Sequence, residues 1–423
     1  MTDLLKEEKV LPYPKLLLYA AGVGLLGGLL ATLFYLAMKL GFSLLWNELP
    51  GRAILPTWDQ LRYRVWIIAG IGGLLVGLVV KYMGAAGGLA GAVQELHEKG
   101  KLDYTKLPGT ALASWLSLTV GSSAGPESPL IDINGGVGSW IADRLKLSTR
   151  DARILTFCGM GAGMGVFFSA PLGAALFVLE IPHRRGLEFC EAIIPTLMSA
   201  FMGFAVFRCA TGVTFGGIYD FPPYEQLRPI DIGSAILLGI IGAGVGLLFL
   251  GIDFIIQRLV TPLRNRPLLL ITLGGLAFGL IAMAFPITLF YGEAQIQEIL
   301  DTGMRYSAWL LFLIAIMKML ALSLSLQSGF KGGVVFPVFF VGACVGMGVH
   351  QLIPGIPLSV ALVCMMAAIG VSIVNAPMSM IMILSTISHT SITPLITTAT
   401  LTSFILTQEF SIVPTQQCRQ DLH

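Results

Sequence analysis

The sequence predicts an all-α, polytopic membrane protein with many tilted and re-entrant helices arranged as two inverted-topology repeats. Three observations predict it. Of 423 residues, 55% are hydrophobic and only 12% charged, about half the charged share of a soluble domain. No Asp, Glu, Lys or Arg occurs anywhere from 332 to 408. Glycine, with 50 copies, and proline repeatedly interrupt the apolar stretches. A water-soluble enzyme is thereby excluded, and a net charge of +2 supplies no field for nucleic acid.

Residues 1–14, MTDLLKEEKVLPYP, carry both signs of charge and lack a signal-peptide n-region, so they are expected to form a retained cytoplasmic segment. Uncharged runs then follow at Leu16–Met38, Val65–Val80, Ile232–Ile252 and Pro267–Gly292. A spanning helix needs about 20 such residues. Lys and Arg are spread too evenly among the connections to fix orientation. The six cysteines form no CxxC pair and read as packed free thiols.

Between the apolar runs lie GSSAGPESP at 121–129, SAP at 169–171, FKGGVVFP at 330–337 and NAP at 375–377. Backbone groups unsatisfied in hydrocarbon are costly, so broken helices persist only where protein or a water-filled cavity surrounds them. The breaks also repeat. Pro129 and Pro171 are 42 residues apart, and Pro337 and Pro377 are 40 apart. The run before Ala170-Pro171 echoes the run before Ala376-Pro377. This divides the chain into repeats at 15–215 and 228–410, with a short tail at 411–423. Paired interrupted segments point to a site near the bilayer midplane. Their helix N-termini carry roughly half a positive charge and free N–H groups, so converging ends form an anion site without basic side chains.

At these residues the chain resembles the CLC family of chloride channels and chloride/proton exchangers. Gly125-Pro126-Glu127-Ser128-Pro129 is similar to that family's Gly-(Lys/Arg)-Glu-Gly-Pro, with Pro126 for the basic residue and Ser128 for the second glycine. Gly333-Val334-Val335-Phe336-Pro337 resembles Gly-x-Phe-x-Pro with the aromatic displaced by one position. Ala85-Ala86-Gly87-Gly88-Leu89-Ala90 stands where the family has Gly-Ser-Gly-Ile-Pro, without its serine. The pore tyrosine is also missing, and Phe410 is its positional substitute.

The resemblance implies chloride as permeant ion, no cofactor, a homodimer with a pore in each subunit, and residence in a prokaryotic cytoplasmic membrane. The chain ends soon after its last apolar segment, so the regulatory domains of some relatives are not expected. Glu127 becomes the gating glutamate, a carboxylate at a helix start that mimics the permeant anion. Ala86, Gly87, Gly88, Gly125, Gly332 and Gly333 become places where backbone approaches the ion. Val334, Val335 and Phe336 would present N–H groups, and missing pore hydroxyls should loosen selectivity at the inner site. The inner proton-transfer glutamate of exchangers aligns with Ile181, which carries no proton. Passive, channel-like conduction gated by Glu127 is therefore expected, with chloride/proton antiport through Glu127 and another internal acid as the alternative. Glu180 is the neighbouring acid, read either as a relay or as a helix-end charge reaching the surface near His183, Arg184 and Arg185. Asp132, about 140° round the helix from Glu127, is expected to meet a polar partner away from the pore. His350 and His389 read as packed side chains, since no HxxxH or HExxH spacing exists. An intramembrane enzyme is disfavoured, because Asp132 lacks a second acid.

Overall fold

The computed structural model describes residues 10–46, 62–216, 219–224, 227–388 and 391–417. Sixteen α-helices form among them. The first eight are α1 (Tyr13–Leu45), α2 (Arg62–Met83), α3 (Gly88–Lys99), α4 (Leu107–Thr119), α5 (Glu127–Arg144), α6 (Thr149–Phe168), α7 (Pro171–Glu180) and α8 (Ile193–Thr211). The second eight are α9 (Pro229–Val260), α10 (Pro267–Ala284), α11 (Glu293–Thr302), α12 (Ala308–Ser328), α13 (Val335–Leu352), α14 (Leu358–Val374), α15 (Pro377–Ser388) and α16 (Thr393–Thr407). Seven helical stretches are long and apolar enough to cross a membrane.

At 33 residues, α1 is about 50 Å long and must tilt to stay in a bilayer. Its Leu18, Leu25, Leu29, Leu33, Leu36 and Leu40 stand outward and uncovered, an apolar face that suits lipid and not water. The opposite face packs on α8. A side chain at Gly24 would strike the Ser199 carbonyl, and one at Gly28 the backbone of Gly203. Glycines four apart let the two backbones touch.

The repeat is visible in the packing. Each of the pairs α1–α8, α1–α6, α2–α4, α3–α5, α4–α5, α5–α6, α6–α8 and α7–α8 recurs with both helices moved on by eight. The halves then join through α2 against α10 and α7 against α15. Even the breaks match. Ser169 (φ 50°) ends α6 and Asn375 (φ 55°) ends α14 in the left-handed conformation. Each is followed by Ala-Pro opening the next helix, a turn that short polar residues tolerate.

Two expectations need correction. The Pro267–Gly292 run is not one span, because α10 stops at Ala284 and Phe285–Pro286 turns the chain. The cysteines divide: Cys158, Cys344 and Cys364 are buried, whereas Cys190 and Cys209 are exposed, and all five are free thiols. Cys418 lies outside the described residues. The Gly/Pro breaks, by contrast, sit inside the protein. Every residue from 121 to 130 is buried, as is every one from 333 to 340. The first and last described residues lie on one side: the Leu11 amide donates to Asp151, and Gln417 pairs with the 182–184 segment.

Candidate functional site

The two glycine-rich breaks meet. The Gly125 amide donates to the Gly333 carbonyl at 2.9 Å, and the Gly333 amide donates back at 2.6 Å. Each glycine stands two residues before its helix, so this exchange sets the starts of α5 and α13 beside each other. Glu127 opens α5 and is 2% exposed. Its Oε1 accepts the Phe336 amide at 2.8 Å, in the first turn of α13. A carboxylate of one repeat therefore occupies the helix start of the other, where an anion is favoured. Its Oε2 is buried without a hydrogen-bond partner. A Cβ at Gly125 or at Gly333 would overlap the carboxylate, so a side chain at either position would displace it. Both glycine N–H groups are consumed by the pairing, and the carboxylate takes its hydrogen bond from the Phe336 amide. Around it Phe336 packs against Phe167, Phe168, Phe339 and Tyr291.

A cavity of about 650 Å³ opens toward the side of the termini. Gly87 and Gly88 at the start of α3, Ser128 and Asp132 on α5, and Lys331 to Val334 line it. Phe410, half exposed, closes one edge. Of the predicted site residues, Val335 and Phe336 stand in the first turn of α13, off this cavity. The Ala86 amide donates to Thr110 Oγ1 at 2.8 Å and its carbonyl accepts Lys331 Nζ at 2.9 Å. Ala86 thus offers no free N–H; the unused ends of α3 belong to the glycines after it.

Three polar groups in this cavity escaped the sequence reading. The Ser128 hydroxyl faces the start of α3, and a Cβ on Gly88 would meet it at 3.4 Å. The departure at Ser128 thus puts a hydroxyl beside the 85–90 segment that lacks a serine. The Ser114 hydroxyl is fully buried and unpartnered on the cavity wall. Lys331 is the third. Asp132 corrects its expectation: it lies one turn beyond Ser128 on the same face of α5 and lines the cavity itself. The azimuth from Glu127 was the wrong reference, because the cavity meets α5 on the Ser128 side.

Glu180 is also corrected. It does not reach the surface beside Arg184 and Arg185 but is buried. Its Oε1 accepts the Met378 amide at 3.0 Å, its Oε2 accepts the Ser379 amide at 2.8 Å, and the Ser379 hydroxyl donates to Oε2 as well. The end of α7 thus caps the start of α15. Ile181 is fully buried, and its carbonyl accepts Gln416 Nε2 at 2.8 Å. In the connection after α7, the Glu188 carboxylate accepts Arg153 at 2.8 Å and faces His183 Nε2 at 3.2 Å. Burial raises the pKa of this carboxyl, but the hydrogen bonds from His183 and Arg153 outweigh burial and hold it at about 2.

On the opposite side, Tyr35, Met38 and Glu293 line both a 190 Å³ pocket that reaches Pro126 and a 530 Å³ pocket beside Trp46. The Tyr291 hydroxyl donates to Glu293. His350 Nδ1 lies 2.7 Å from the Ile356 carbonyl, and His389 is outside the described residues. Among the described residues no group of three or more His, Cys, Asp or Glu is placed to hold a metal ion.

A model of the voltage-gated chloride channel family matches residues 72–408. The chain belongs to the voltage-gated chloride channel (CLC) family. It is 27% identical over 398 residues to the provisionally named ion-transport protein YfeO of Escherichia fergusonii, covering 92% of this chain and 91% of that one. The Salmonella typhimurium protein of the same name is 27% identical over 371 residues, covering 86% and 87%. Among solved structures, a CLC-type fluoride/proton antiporter superposes with a TM-score of 0.82 at 20% identity, covering 96% of this chain and 98% of that one. A slow cyanobacterial Cl⁻/H⁺ antiporter gives 0.82 at 22% identity, covering 95% of each. This CLC protein is accordingly a multi-pass membrane protein of an anion-transport family.

Proposed function

We propose that this CLC protein exchanges chloride for protons across the cytoplasmic membrane, with Glu127 as the group that alternately fills the anion site and carries the proton. The observation that carries the reading is the Glu127 carboxylate seated on the Phe336 amide, between Gly125 and Gly333. An ionised carboxylate competes there with a halide for the same donor; a protonated one loses the charge that favours the site and yields it to the anion. Antiport replaces the passive conduction expected from Ile181, since both antiporters share this fold over nearly the whole chain. The inner anion subsite is assigned to Gly87, Gly88, Ser128 and Val334, with Lys331 supplying positive charge and Phe410 the rim. Glu180 is assigned to capping α15, and a homodimer belongs to the same reading.

The test is a chloride gradient imposed across proteoliposomes with the external pH followed. Antiport drives protons against their gradient. Glu127→Gln should abolish that movement and leave chloride flux nearly independent of pH. A wild-type protein that releases chloride with no uphill proton movement would return the passive reading.

A further inference from the structure

Antiport requires a proton route from the termini side to Glu127, and neither Ile181 nor the capped Glu180 supplies one. We infer that Asp132 is the inner proton-transfer residue, exchanging protons between the water of the 650 Å³ cavity and Glu127. This rests on the antiport reading above.

Four observations support it. Asp132 is 6% exposed and lines the cavity, so it meets water at one end while buried elsewhere. No donor engages its carboxylate among the described hydrogen bonds, unlike Glu180 with three donors on its oxygens or Asp253 with Gln327 at 2.8 Å. Oxygens already taken by fixed donors are not open to water, whereas a carboxylate that faces water can take and release a proton. The wall between cavity and Glu127 is a glycine: Gly333 lines the cavity, and a Cβ there would strike Glu127 Oε2, the oxygen without a partner. Lastly, Ser128 and Asp132 share one face of α5, a turn or about 6 Å apart along the helix, and the Ser128 hydroxyl can pass a proton across that interval with water.

The charges around Asp132 fit the role. Lys331, from the segment before α13, and Glu95, from α3, are the charged groups that act on it. Asp253 of α9 and Arg264 complete the charged lining of the cavity. Lys331 stands as counter-charge while Asp132 is ionised, so releasing the proton does not strand an isolated buried charge. The step is a proton transfer only. A hydronium ion in the cavity gives its proton to the Asp132 carboxylate and becomes water; the acid then passes the proton through water and the Ser128 hydroxyl to the Glu127 carboxylate, and the reverse sequence returns it to the cavity.

The experiment compares uphill proton movement and chloride release in proteoliposomes of wild type, Asp132→Asn, Asp132→Glu and Asp253→Asn. In Asp132→Asn, proton movement should fall by about a hundredfold, the low end for removing a positioned proton carrier, while chloride release persists. Asp132→Glu should keep uphill movement with a shifted pH profile, and Asp253→Asn should remain coupled. Proton pumping by Asp132→Asn at the wild-type rate overturns the inference and leaves antiport standing. Should Asp132→Asn not fold, an Asp132→Glu profile superposing on wild type overturns it. A wild-type protein that moves no protons uphill overturns both.

Discussion

Gly125 and Gly333 exchange two backbone hydrogen bonds, at 2.9 and 2.6 Å, and by doing so set the starts of α5 and α13 side by side. Reciprocal bonding between equivalent residues is what a two-fold axis relating the repeats would produce. The absence of a Cβ at both positions leaves room for the Glu127 carboxylate and for nothing more. Gly333→Ala should therefore push that carboxylate off the Phe336 amide. The expected cost is about 1–3 kcal/mol for overpacking, read as a lower melting temperature in detergent, together with altered pH dependence of chloride flux. Wild-type pH dependence in Gly333→Ala would contradict the geometry.

Glu180 joins α7 to the start of α15 across the repeats. Glu180→Gln keeps the shape but loses the charge that accepts three donors. Stability should drop by about 1.5–3 kcal/mol, the worth of a hydrogen bond to a charged group. Uphill proton movement should continue at a rate near that of wild type, because this carboxylate is a cap.

Lys318 is fully buried in α12, its ammonium donating to the carbonyls of Thr288 at 3.0 Å and Phe290 at 2.5 Å. It holds a turn in which Phe290 takes the left-handed conformation. Lys318→Met fills similar space but orphans those carbonyls. Each unsatisfied group costs about 1–3 kcal/mol, so this variant should be among the least stable single substitutions in a thermal-melt series.

Ser128→Ala removes a hydroxyl from the proposed inner subsite without opening space. A hydrogen bond is worth about 0.5–1.5 kcal/mol net, so chloride affinity measured by calorimetry should weaken by roughly twofold to tenfold. The thermal melt should hardly move.

Glu188, outside the membrane spans, makes stability depend on pH. Its folded pKa of about 2 lies below the ordinary 4.5, held there by His183 and Arg153 against the effect of burial. A carboxyl with a depressed folded pKa stabilises the protein above its unfolded value and loses that contribution as pH falls through the folded one. Stability should therefore decline between about pH 4.5 and 2, by about 3 kcal/mol in total for this group, read as a falling melting temperature. Glu188→Gln should flatten that part of the profile.

The sequence by itself determined the solvent and the periodicity of the chain. A stretch free of charge from 332 to 408 belongs in lipid, in protein or beside an internal cavity. Ala-Pro after a small-residue run, at 170–171 and again at 376–377, marked the repeat, because proline and the turn before it impose backbone geometry wherever they occur. Glu127 stood out as the gating candidate for the same local reason: it stands beside prolines, in a break of an otherwise apolar run. Only the tertiary structure decided what the remaining polar residues face. Helical azimuth from Glu127 sent Asp132 away from the pore, and the cavity came to meet it. Glu180, adjacent to a basic run, looked bound for the surface, yet α15 arrives 198 residues later to present its amides. The Ser128 hydroxyl reaches the start of α3 from another helix, beside the 85–90 segment that has no serine. Local sequence fixes which residues can break, turn or carry charge; which groups converge depends on long-range contacts between the repeats, and no spacing along one strand of sequence encodes those.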